Sequence, residues 1–88
     1  RVAIWGSGSK CVAYLHALGV SDEVTLIVDV NPHKHGKFLA GTGHKIVGPD
    51  ALVEARPDVV VVMNHVYVEE IRAQLTGMGV TPELVGLK

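Results

Sequence analysis

The run Val2–Trp5 passes straight into Gly6-Ser7-Gly8-Ser9-Lys10 and then into residues spaced for a helix, and no other feature of this chain constrains its fold as much. An apolar run without polar alternation reads as a strand buried on both faces, as in a parallel sheet. Glycines let the chain turn sharply out of that strand. The helix start that follows offers backbone N–H groups to an anion. The turn therefore points to a phosphorylated or nucleotide-like ligand and leaves open what is done to it.

The same grammar repeats along the chain. Strands are expected at Arg1–Trp5, Val24–Val28, Lys45–Val47, Asp58–Met63 and Leu84–Leu87. Helices are expected at Ser9–Leu18, with Val12, Leu15 and Leu18 on one face, at Asp50–Ala55 behind Pro49, and at Val66–Leu75, with Val68, Ile71 and Leu75 on one face. Ser9 reads as the N-cap of the first helix and Gly19 as its stop; Gly77 and Gly79 end the last. Asn31-Pro32 breaks regular structure and opens a glycine-rich loop reaching about Gly43. Strands alternating with helices imply an α/β fold, a three-layer sandwich around a mostly parallel five-stranded sheet, here in the order 3-2-1-4-5.

In such a sheet ligands bind beyond the carboxyl ends of the strands, where the strand order reverses. Gly6–Lys10, Asp29–Lys34, the 36–43 loop and Asn64–Tyr67 are all expected at that edge. Asp29, about twenty residues past the glycines, stands where an acid takes a ribose hydroxyl in a dinucleotide site. It equally fits an Asp that opens the Asn31-Pro32 turn. Asn64 can cap the following helix or turn its amide to a ligand. Lys10 can reach a phosphate or stand in solvent. Cys11 occupies the third position of a GxGxxG-like pattern, where glycine permits close helix–strand packing, and reads as a packing residue rather than a nucleophile. His33 and His35 lack the companion ligands of a metal site and read as a solvated loop. Trp5 reads as core, and Glu69 and Glu70 as surface carboxylates at a helix start.

Charge narrows the ligand class. The net charge of −1 argues against a nucleic-acid partner. Yet residues 30–49 hold no acid and include Lys34, Lys37 and Lys45, a local cationic stretch suited to a small anion. The run VVVVM at 59–63 is far short of a membrane span, which needs roughly 20 residues. The single Cys11 excludes an internal disulfide and fits a reducing, cytoplasmic setting. Beginning at Arg1 without a signal-peptide pattern, the chain reads as one domain, residues 1–88, excised from a longer polypeptide. It shows no convincing nucleophile–base or paired-carboxylate constellation, so its own residues read as a binding module.

The segments GSGSKC, VDVNPHKHGKFLAGTGHKIVGPDAL and PDVVVVMNHVYVEEIRAQL resemble the C-terminal domain of the S-adenosylmethionine-dependent sugar C-methyltransferases, the VDxNPxKxGxFxxGT run being the specific part. The resemblance implies a Rossmann-like domain at the C-terminal end of a methyltransferase. It further implies that this domain helps to hold a nucleotide-linked sugar or a similar phosphorylated metabolite. S-adenosylmethionine and the catalytic base would then belong to a neighbouring domain of the same chain, with no cofactor, metal or catalytic residue in this one. The positions that match are Gly6, Gly8, Ser9, Lys10, Asp29, Asn31, Pro32, Lys34, Gly36, Phe38, Gly41, Thr42, Pro57, Asp58, Asn64, Tyr67, Glu70 and Ile71. Of these, Gly6, Gly8, Ser9, Lys10, Asp29, Asn31, Lys34, Thr42, Asn64 and Tyr67 form the expected substrate site. Cys11 departs from the family's usual glycine and Ala40 from its proline. The competing readings are a nicotinamide-dinucleotide domain of an oxidoreductase, favoured by Asp29 and the glycine pair, and a domain that only packs against its neighbour.

Overall fold

The structure is a computed structural model that describes residues 1–18, 24–39 and 42–88. Gly19, Ala40 and Gly41, assigned roles above, lie outside the described residues. The strands are β1 (Val2–Trp5), β2 (Val24–Val28), β3 (Ile46–Val47), β4 (Val59–Val62) and β5 (Glu83–Gly86), and the helices are α1 (Ser9–Leu18), α2 (Leu52–Ala55) and α3 (Val68–Gly77). The strands form a five-stranded sheet in the order β3-β2-β1-β4-β5. Every pairing between them is parallel.

The apolar strands are continuous because both faces of the sheet are covered. On one face Ala3, Trp5, Val28, Val60 and Val62 pack with Leu52 of α2 and with Ile71 and Leu75 of α3. On the other, Ile4, Ile27, Val61 and Met63 pack with Cys11 and Leu15 of α1. Burying a Val, Leu or Ile side chain fully contributes roughly 1.5–3 kcal/mol, so the short central strands supply much of the driving force. The register slips once, from Val2↔Val24 to Ala3↔Leu26. That bulge skips Thr25 and puts Leu26 and Val28 on the same face as Trp5.

Two local readings are corrected and a third, the glycine end of the last helix, holds. Gly8, not Ser9, is the N-cap of α1: its carbonyl accepts from Cys11 (3.0 Å) and Val12 (3.3 Å), and Ser9 is the first helical residue. The helix expected from Val66 begins as a 3₁₀ turn, His65–Tyr67, and becomes α-helical at Val68. Asn64 caps that turn, its side chain accepting from the Val66 amide. Gly77 is the last residue of α3, and Gly79, at φ +77°, makes the left-handed exit, with Val80 N–H returning to the Leu75 carbonyl at 2.9 Å.

Among the described residues of the β2–β3 connection there is no α-helix. Pro32–Lys34 forms a 3₁₀ turn capped by the Asn31 side chain. The chain then runs antiparallel beside β3: Gly36 N–H donates to Ile46 (2.9 Å), Ile46 N–H to Lys37 (2.8 Å) and Leu39 N–H to His44 (2.7 Å). Leu39 is buried by this arm and Phe38 stands 67% exposed.

Candidate functional site at the carboxyl edge of the sheet

The strand order reverses between β1 and β4, so the turns that follow these strands flank one crevice. The β1–α1 turn is built on Gly6, at φ +117°, a conformation an L side chain rarely adopts. A Cβ there would lie 3.1 Å from the Met63 Cβ, a tight contact added to the backbone strain, so the backbone favours glycine and Met63 would have to shift for any other residue. The turn is tied to the sheet by Gly6 N–H donating to the Val28 carbonyl at 2.7 Å. Gly8 differs: a Cβ there would meet nothing within 4 Å. Its backbone is open to a ligand at the start of α1.

Asp29 follows β2 and ties the two turns together. Its Oδ2 accepts from Ser7 twice, from the amide at 3.1 Å and from the hydroxyl at 2.6 Å. Its Oδ1 accepts from the Asn31 amide at 2.9 Å. Lys34 Nζ stands 3.7 Å from Oδ2. Burial raises the Asp29 carboxyl, but the hydrogen bonds from the Ser7 hydroxyl and from the Asn31 and Ser7 amides, with the Lys34 charge, outweigh it and hold the group below its ordinary value. The turn-opening role of Asp29 is therefore realised, and its carboxylate is already engaged within the protein. Ser7, buried between the two glycines, is the residue that sequence reasoning missed. A hydroxyl flanked by glycines, with a strand-end acid following, is the signal that could have found it.

The expected site divides. Gly6, Gly8, Ser9, Asp29, Asn31, Lys34, Asn64 and Tyr67 all lie in the turns that leave the carboxyl ends of β1, β2 and β4. Lys10, also in the first turn of α1, donates from Nζ to the Lys88 carbonyl at 2.8 Å. Thr42 is at the opposite edge: its hydroxyl meets His44 Nδ1 at 2.9 Å, and His44 Nε2 donates to the carbonyl of Val24, the first residue of β2. The antiparallel arm carries the glycine loop back along β3, away from the crevice. The arm also separates the lysines, leaving Lys34 at the carboxyl edge and placing Lys37 and Lys45 along β3.

The imidazole of His35 donates from Nε2 to the Asp29 carbonyl at 2.6 Å, a structural tether for the turn. Cys11 is fully buried against Ile4 and Leu15, and burial pushes its thiol up to about 11, which leaves it a packing group rather than a nucleophile.

On the α3 face of the crevice lies a cleft of about 360 Å³. Trp5, Met63 and Ile71 line it from the core, and Val30, Tyr67 and Glu70 from its exposed side. Of these only Tyr67 was expected in the site. The others were concealed because their apolar character reads as core and Glu70 reads as an ordinary helix-start carboxylate.

A sheet of this order, with helices on both faces and a glycine turn at the switch point, defines a doubly wound α/β architecture. A search of solved structures agrees: the crystal structure of RSP, a Rex-family repressor, is similar at a TM-score of 0.61 and 13% identity, covering 99% of this chain and 52% of that one. At that identity the likeness shows the Rossmann-type fold alone, and the chain spans about half the length of that structure. No curated protein matches the chain. The family is nevertheless shown, since the model for the C-methyltransferase C-terminal domain matches residues 1–81, and the chain belongs to that family. No helix among the described residues is long and apolar enough to cross a membrane.

Proposed function

We propose that this domain holds the substrate of an S-adenosylmethionine-dependent C-methyltransferase, and that the substrate is a nucleotide-linked sugar or a related phosphorylated metabolite. The observation that carries the reading is the β1–α1 turn of a family member: an open Gly8 backbone at the start of α1, next to a loop latched in place by Asp29. A diphosphate seated there meets unpaired helix N–H groups and the favourable end of the α1 dipole. Lys34 lies across the latch and can turn from Asp29 to the anion. Each such exposed contact contributes about 0.3–1 kcal/mol, so the affinity of this domain by itself is weak.

Methyl transfer to carbon requires a base beside a carbonyl and a methyl donor, and this reading assigns both to a neighbouring domain of the same chain. The role of this domain is to bind and orient. Asp29 bears on the nicotinamide alternative. An acid that reads a ribose diol accepts from both hydroxyls, whereas Asp29 Oδ2 already takes two Ser7 donors and Oδ1 the Asn31 amide, which leaves Oδ1 to serve one further donor.

Amide NMR spectra of the chain during titration with a thymidine diphosphate sugar, and separately with NADH, test the proposal. Shifts at Gly6–Ser9 and Lys34 with the sugar nucleotide alone are expected. Equal or larger shifts with NADH would overturn the reading in favour of a dinucleotide domain. Silence with both would leave the domain as a packing module.

A further inference from the structure

We infer that the free edge of β5 is a self-association surface, on which a second copy of this chain adds its own β5 antiparallel, so that one sheet runs through both copies.

The two edges of the sheet are finished differently. Beside β3 the antiparallel arm closes the edge, with Gly36 N–H donating to the Ile46 carbonyl and Ile46 N–H to the Lys37 carbonyl. Beyond β5 no strand follows among the described residues. Glu83 N–H donates to the Asp58 carbonyl at 3.0 Å and Leu87 N–H to the Val62 carbonyl at 2.9 Å. Backbone groups alternate sides along a strand, so the N–H and C=O of Leu84 and Gly86 point away from β4 to the open edge. Exposed edges are commonly guarded by a charge, a proline or a bulge. From Leu84 to Leu87 the strand has neither charge nor proline, and its register with β4 is unbroken from Val59↔Glu83 to Val62↔Gly86. Val85 stands 39% exposed in the middle of it.

A second copy fits because the edge and the helix above it are self-complementary about one two-fold axis. Antiparallel pairing centred on Val85 sets Leu84 of each copy opposite Gly86 of the other, and these two pairs exchange about four backbone hydrogen bonds. The same axis runs α3 of one copy antiparallel to α3 of the other. Val68 lies against Gly86, and Arg72 lines a groove with Leu84. The level of Val85 therefore falls between Val68 and Arg72, where the axis turns Glu69 of one helix toward Arg72 of the other. Within one copy Arg72 Nε already stands 3.3 Å from Glu69 Oε1, with both side chains exposed. A patch that carries one charge of each sign, exchanged by the two-fold, meets the requirement of an isologous interface. Glu70 and Gln74 are on the other side of α3, lining the cleft beside Trp5, so the association leaves the carboxyl-edge crevice open.

Sedimentation equilibrium of the full-length protein that carries this domain tests the inference, together with hydrogen–deuterium exchange resolved to single amides. A concentration-dependent dimer is expected, with exchange at Leu84 and Gly86 slowing as it forms. Arg72→Glu sets like charges against each other across the axis and should raise the dimer dissociation constant about tenfold. Glu69→Arg combined with Arg72→Glu returns opposite charges to the axis and should restore the parent constant. Both residues are exposed, so neither substitution threatens the fold. A protein that stays monomeric up to millimolar concentration overturns the inference. A dimer that Arg72→Glu leaves unchanged also overturns it, since the interface then lies elsewhere. Slow exchange at Leu84 and Gly86 in the monomer overturns it in a third way, by assigning the edge to another segment of the same protein.

Discussion

After β1 the chain turns through Gly6 and is tied down by Asp29, with Ser7 buried beneath the turn; after β4 it turns through Asn64 and leaves Val66 and Tyr67 standing in solvent. Both turns follow a buried apolar strand and both lead into a helix. The first spends its polar groups on one another, and what it offers a ligand is backbone. The second uses one side-chain oxygen as a cap, and what it offers is an aromatic ring, an amide NH₂ and a carboxylate. Preorganised backbone suits a charged group whose geometry does not vary. A half-apolar cleft suits the part of a ligand that must be distinguished from others.

The comparison can be broken most forcefully at Gly6. Gly6→Ala combines a φ of +117° with a Cβ 3.1 Å from Met63, and should cost about 3 kcal/mol in urea unfolding. A loss under about 1 kcal/mol would mean that the turn is not held as rigidly as the geometry implies. Next is the latch. Asp29→Asn should cost about 2 kcal/mol at pH 7, because a charged acceptor serving three N–H and O–H donors is replaced by a weaker one. The carboxyl is held below its ordinary value when folded, so its contribution is complete above the unfolded-state value and is lost as pH falls through the folded one. The gap between the parent chain and Asp29→Asn should accordingly close in urea titrations as the pH drops below the ordinary carboxylate range. A gap that persists unchanged in acid would assign the effect to packing.

Gly8→Ala sharpens the contrast, since the same substitution two residues on has a different meaning. It meets nothing in the protein and costs under about 1 kcal/mol, the difference between glycine and alanine as an N-cap. It places a methyl group where a phosphate must approach, so pyrophosphate affinity measured by NMR titration should fall about tenfold. Equal affinity would remove the phosphate from this turn. The smallest effect is expected from Thr42→Ala. It removes the hydroxyl that meets His44, costs on the order of 0.5 kcal/mol, and leaves ligand affinity unchanged because it acts at the amino end of β2.

Much of this arrangement was legible residue by residue. The apolar runs and the helical spacing of Val68, Ile71 and Leu75 reflect burial periodicities of the chain itself, so the strands and helices could be read before any coordinates, and the sheet order followed from the doubly wound class that their alternation implies. Element ends were less legible, because a 3₁₀ turn and an α-helix share one side-chain spacing over a single turn, as at His65–Tyr67. Thr42 was misplaced because a loop that follows β2 and precedes β3 can lie at either edge, and only the antiparallel arm beside β3 shows which. Lys10 stands in the first turn of α1 as expected, and what sequence could not show is the acceptor its long side chain takes, the Lys88 carbonyl.

The amino-acid sequence by itself determined the alternation of strands and helices, the position of the glycine turn and the family, because each depends on local periodicity or on a contiguous motif, and the strand order matched the one expected of that fold class. The tertiary structure alone decided that Asp29 serves Ser7 rather than solvent, that Gly8 is open while Gly6 is not, and that Trp5, Val30, Tyr67 and Glu70 share one cleft. Those facts are distances between residues far apart in the chain, and only the packing of β1, β2, β4 and α3 around one sheet edge brings them together.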